Sequence, residues 1–155
     1  MLTLNDIMTK DVVVLAPDLS LRDAMDLLTA RHIGGAPVVN RNHVVGVVSL
    51  TDLAEFATQA SQVPSLHPGD VEWNALEEHT VKDVMSTSVA SLPGDTSVEA
   101  AASFMSRNKI HRVLVMDGEK VVGIVTTTDI TVAVAKSRLT KRVYVFDRQG
   151  SSRHW

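Results

Sequence analysis

The chain repeats itself. Displaced by 77 positions, residues 3–56 align with residues 80–133 without a gap, and 16 of the 54 pairs are identical, Gly46 with Gly123 and Asp52 with Asp129 among them. Other pairs keep their character, such as Ile7 with Val84, Val47 with Ile124 and Ser49 with Thr126. Repetition at this spacing constrains the fold before any helix or strand preference does, because each unit must bury a surface that its copy completes.

Each copy carries the same pattern of elements. A short apolar run, Val12 to Leu15 or Val89 to Leu92, reads as a strand that stops at Pro17 or at Pro93-Gly94. An amphipathic helix follows, with Ser20 and Asp23 as its N-terminal signals and Ser97 in the second copy. Its buried face is Leu21, Ala24, Met25 and Leu28, and then Val98, Ala101, Ala102 and Met105. Two β-rich runs come next, Pro37 to Val39 with Val44 to Val48, and Val113 to Met116 with Val121 to Val125, joined by connections short enough for hairpins. A second helix starts near Thr51 or Thr128. The expected class is α/β (α+β), two β-α-β-β-α units with a right-handed first crossover and a three-stranded sheet each. A unit of about 55 residues with one covered face is marginal alone, so the two should pack together.

Charge and composition narrow the function. The chain has no cysteine, which removes thiol catalysis, disulfides and cysteine-ligated metals. With 45% apolar and 21% charged residues and a formal charge of −3, it reads as an ordinary globular protein without a field that attracts nucleic acid. No apolar run approaches membrane-spanning length, and the start, MLTLNDIMTKD, is not a signal peptide, so the expected location is cytoplasmic. The expected organisation is repeat 1 over 1–56, a linker or insertion over 57–79, repeat 2 over 80–135 and a basic tail over 136–155. The linker has Pro64, Pro68, several carboxylates and Trp73, a packing anchor or a partner contact. In the tail, Arg142-Val143-Tyr144-Val145-Phe146 can extend a sheet edge or dock a neighbouring chain.

The strings GVVSLTD (46–52) and GIVTTTD (123–129), each preceded by a capped helix and by GGAPVV or IHRVLV, resemble paired CBS domains, the family named after cystathionine β-synthase. The resemblance covers both copies. It implies two repeats packed about a pseudo-two-fold axis, two clefts that take adenosine-containing ligands such as AMP, ADP, ATP or S-adenosylmethionine, and a stand-alone regulatory sensor that self-associates as a homodimer and reports to a protein partner. No cofactor is required.

The residue chemistry fits that implication. Asp129 and Asp52 stand where a strand passes into a helix, a crevice position where a carboxylate can accept both hydroxyls of a ribose. Thr126 and Thr128, with Ser49 and Thr51 as counterparts, place hydroxyls beside free helix-start N–H groups that suit phosphate oxygens. A plainer role is also open: Thr51 and Thr128 cap helices, and the aspartates complement the helix dipole. Against it stands the expectation that capping alone would not call for a hydroxyl and a carboxylate three residues apart in both copies. Ile110, His111 and Arg112 precede the central strand of the second copy, an imidazole and a guanidinium fork for phosphate. Gly34 and Gly35 hold the aligned places in the first copy, so the clamp is expected to be missing there unless His111 and Arg112 reach the Asp52 cleft across the interface.

No P-loop, G-x-G-x-x-G, G-x-S-x-G or H-E-x-x-H string occurs, and the six histidines show no ligand-like pairing, so neither an enzyme nor a metal site is expected. Two other functions remain: an interaction protein with vestigial clefts, and, more weakly, a nucleic-acid binder through the tail.

Overall fold

The computed structural model describes residues 1–60 and 75–136 and two further strands at 144–146 and 152–154. In chain order the elements are α1 (Leu4–Ile7), α2 (Leu21–Ala30), β1 (Gly35–Asn40), β2 (His43–Ser49), α3 (Leu50–Ala60) and α4 (Val81–Val84). They continue with β3 (Ser91–Pro93), α5 (Val98–Asn108), β4 (Arg112–Asp117), β5 (Lys120–Thr126), α6 (Thr127–Ala135), β6 (Tyr144–Phe146) and β7 (Ser152–His154). Two repeats of mixed helix and strand are present, as their sequence pattern predicts. Ser20 and Ser97 cap α2 and α5, accepting from the Asp23 and Ala100 amides at 3.1 Å each.

The hairpins superpose in register. Gly35 pairs with Ser49 as Arg112 pairs with Thr126, each ladder slips once, and the alternation of buried and exposed positions is identical in the two copies. The β1–β2 turn is tight, with Arg41 at φ 49 and Asn42 at φ 66, the left-handed pair that matches strand twist in a two-residue loop.

The leading strand differs from expectation. In the second copy it is Ser91–Pro93, parallel to β4, whereas the first copy keeps only a single bridge, Leu15 to Val38. Proline explains the loss. The Leu114 amide donates to the Ala90 carbonyl at 3.0 Å, and the equivalent residue of the first copy is Pro37, which has no N–H to give.

The copies also exchange their first segments. Leu4, fully buried, belongs to the core of the second repeat with Ala101, Met105 and Val113, while Val81, also fully buried, belongs to the core of the first with Leu21, Leu28 and Leu53. Thr9 exchanges two hydrogen bonds with Ile124, at 2.9 and 3.0 Å, and Ser86 does the same with Val47, at 2.8 and 2.9 Å. The glycine that opens each GVVSLTD-like string makes room for this docking. A Cβ at Gly46 would lie 2.7 Å from Met85 Sδ and 2.8 Å from the Ser86 carbonyl, and one at Gly123 would meet Met8 Sδ and lie 2.8 Å from Met8 Cγ.

Tyr144–Phe146 extends neither main sheet; it pairs antiparallel with Ser152–His154. Trp73 and most of the linker and tail lie outside the described residues.

Candidate functional site

Two cavities related by the 77-residue offset lie where the repeats meet. The first, about 480 Å³, has Ser49, Thr51 and Asp52 on one side and Lys109, Ile110, His111 and Arg112 on the other. The second, about 400 Å³, sets Thr126, Thr128 and Asp129 against His32, Ile33, Gly34 and Gly35, and His111 and Arg112 reach it as well. Each cleft therefore takes its helix start from one repeat and its opposite wall from the other. The predicted residues assemble into these two groups, with His111 and Arg112 common to both.

At each helix start a capping box fixes the aspartate. The Ser49 amide donates to Asp52 Oδ2 at 2.9 Å while Ser49 Oγ accepts from the Asp52 amide at 3.1 Å. Thr126 donates to Asp129 Oδ2 from its amide at 2.8 Å and from its hydroxyl at 3.0 Å, and the hydroxyl accepts in return from the Asp129 amide at 3.3 Å. The caps are thus Ser49 and Thr126, not Thr51 and Thr128. This also corrects the argument against capping, because a reciprocal box demands both side chains three residues apart. The same box occurs at Thr3 with Asp6 and at Thr80 with Asp83.

Capping uses only Oδ2, so one oxygen of Asp52 and one of Asp129 take no protein hydrogen bond among the described residues. The Leu50 and Thr127 amides donate to the carbonyls of Gly34 and His111 at 2.9 and 3.0 Å. Thr51 and Thr128, the next residues of the two helices, line the clefts, and the first N–H groups of a helix have no acceptor inside it. Each cleft is thus lined by an aspartate with one oxygen outside the capping box and by the start of a helix.

Arg112 links the two. Its guanidinium lies against Gly34 and Gly35, where a Cβ on Gly35 would collide with Nη1 and stand 2.7 Å from the Val48 carbonyl. Partial burial pushes its pKa down from the usual value, and the Asp52 charge opposes that shift. His111 and Arg112 of the second copy line the Asp52 cleft as well as the Asp129 cleft. Reasoning along one copy at a time missed Lys109, Asp11, Ser88 and His32, which line the clefts from the opposite repeat. No group of three or more potential metal ligands occurs among the described residues, and none of their helices is long and apolar enough to cross a membrane.

The CBS domain model matches residues 4–58 and again 81–136. The chain belongs to the CBS domain family. An uncharacterised protein of Methanocaldococcus jannaschii is 33% identical over 126 residues, 81% of this chain and 37% of that protein. The chain spans between 22% and 37% of the length of the first curated relatives it matches, two of them inosine-5'-monophosphate dehydrogenases. Among solved structures, the CBS domain pair of protein MJ0100 in complex with 5'-methylthioadenosine and S-adenosyl-L-methionine is similar at TM-score 0.73 and 25% identity, over 88% of this chain and 98% of that one. CBSX2 of Arabidopsis thaliana in complex with AMP is similar at TM-score 0.70 and 27% identity, over 88% and 98%.

Proposed function

We propose that the chain is a regulatory ligand-binding module that senses an adenosine-containing ligand, AMP, ADP, ATP or S-adenosylmethionine, in the clefts between its CBS repeats. One observation carries the reading: each cleft is lined by an aspartate with one oxygen outside its capping box and by a helix start, groups that suit a ribose diol and a phosphate. The complexes of MJ0100 and CBSX2 support the adenosine part. Nothing in this reading requires catalysis, a membrane or nucleic acid. A ligand touching both repeats shifts their arrangement by its differential affinity for two states, and the output passes to a partner protein or through a homodimer in the cytoplasm.

A second reading, an interaction protein with vestigial clefts, is favoured by the capping boxes, which account for the paired hydroxyl and aspartate without any ligand. Thermal unfolding with each of the four ligands separates the two. Asp52→Asn and Asp129→Asn are the informative variants, because an amide oxygen can still accept the capping N–H while the second carboxylate oxygen is gone. Sensing predicts a stabilisation that grows with the logarithm of ligand concentration, about 2.7 kcal/mol at a hundredfold above Kd, reduced in one or both variants. No stabilisation by any of the four, in protein freed of bound nucleotide, supports the interaction reading.

A further inference from the structure

The clefts are equivalent by position but not by charge. Where the Asp52 cleft has Ser88, the Asp129 cleft has Asp11, and where the first has Lys109, the second has His32. Among the described residues, and leaving the histidines neutral, Lys109 and Arg112 face the single carboxylate of Asp52, whereas Arg112 alone faces Asp11 and Asp129. Among the described residues only Arg112 brings a guanidinium to both clefts, and a bidentate contact commits its fork to one phosphate. Resting on the sensing proposal, we infer that the Asp52 cleft is the seat of a phosphate-bearing adenosine ligand, that the Asp129 cleft takes an uncharged one, and that shared Arg112 makes two phosphate-bearing ligands compete.

Several features of the site support that assignment. A dianionic phosphate in the Asp129 cleft would meet two carboxylates, and like charges at cleft dimensions repel even when partly screened. In the Asp52 cleft the same phosphate meets one carboxylate against an ammonium and a guanidinium, Lys109 and Arg112, while imidazoles line both clefts. Gly34 and Gly35 add no donor side chain to the Asp129 cleft; they give the room in which Arg112 lies. Uncharged adenosine needs only the ribose diol contact, which both clefts supply.

Titration calorimetry of the full chain with AMP and with adenosine tests this. The expected result is two adenosine sites of similar affinity and, for AMP, one strong site and a second weaker by tenfold or more. The repeat supplies its own controls, since each variant imports the residue of the other copy. Lys109→His should weaken the strong AMP site by about threefold to tenfold and Asp11→Ser should strengthen the weak one by a similar factor, each effect exceeding any change in adenosine binding. Asp52→Asn should remove the strong AMP site and Asp129→Asn should leave it. Two equal AMP sites, or a strong site lost in Asp129→Asn and kept in Asp52→Asn, overturn the inference while the sensing proposal stands. Binding of neither compound overturns this inference, and thermal unfolding with ADP, ATP and S-adenosylmethionine then decides the sensing proposal.

Discussion

Residues 32–35 and 109–112 occupy the same four places of the repeat. Both segments open on a side chain in the left-handed region, His32 at φ 54 and Lys109 at φ 53, and both continue with isoleucine. Then they part: Gly34-Gly35 in one copy, His111-Arg112 in the other. Beneath them the hairpins keep register and burial position by position. What the backbone needs is retained in both halves, and what the clefts hold has been divided, with one copy supplying the cation and the other the space for it. Duplication here has produced complementary halves rather than two equal sites.

The largest effect should come from the exchanged segments, because a core is involved. Leu4 has no exposed surface and sits in the second repeat's core although it precedes the first repeat's helix in sequence. Leu4→Ala should cost about 3 kcal/mol by urea unfolding, the usual price of a truncated core leucine. The more telling readout is hydrogen exchange: amides of β4 and β5 should lose protection before those of β1 and β2. Earlier loss in β1 and β2 would mean that each leading segment serves its own repeat, and the halves would be independent.

A medium effect should follow from filling the space that one half leaves for the other. Gly35→Ala places a Cβ against the Arg112 guanidinium and 2.7 Å from the Val48 carbonyl. The guanidinium can move, but the carbonyl belongs to the β2 ladder, so about 2 kcal/mol is expected for this overpacking. Combined with Arg112→Ala, part of the loss should return, with a coupling of roughly 1 kcal/mol between the two positions. Strict additivity would show that Arg112 does not depend on the glycine, and the complementarity of the halves would fail at its central contact.

Much of this fold was legible because duplication let two weak patterns check each other. The helix caps at Ser20 and Ser97, the hairpins and the apolar faces stand in the structure as the sequence predicts, except that Met25 and Ala102 are only half-buried. The first strand of the first copy was not, since its fate turned on one missing N–H at Pro37, which matters only once Ala90 and Leu114 are known to be bonded in the other copy. The clefts were half legible. Asp52 and Asp129 stood out within single strings, but Asp11 and Lys109 lie far along the chain from the aspartates they face. Only the crossing of segments between repeats brings them together, and no local pattern encodes it.

The smallest effect compares the caps of the two exchanged helices. Asp6 Oδ2 accepts from the Thr3 amide at 2.8 Å and hydroxyl at 3.1 Å, and Asp83 Oδ2 accepts from the same groups of Thr80 at 2.9 and 3.3 Å. The backbone bond is the main reason both carboxyls are held below the usual carboxylate value, and only Asp83 also has a histidine beside it, His79 Nδ1 at 3.6 Å. A carboxyl with a lowered folded pKa stabilises the fold at pH values above its unfolded pKa, and that contribution disappears as pH falls through the folded one. Asp6→Asn and Asp83→Asn should therefore be less stable than the parent near neutrality, and the gap should close in acid, below the usual carboxylate range. The gap should be wider for Asp83→Asn where His79 is protonated, because the first half's cap then loses an ion pair that the second half's cap never had. Chemical unfolding repeated across that pH span would sink this if either gap stayed constant, for then the caps would act through shape alone and the two halves would be equal in acid.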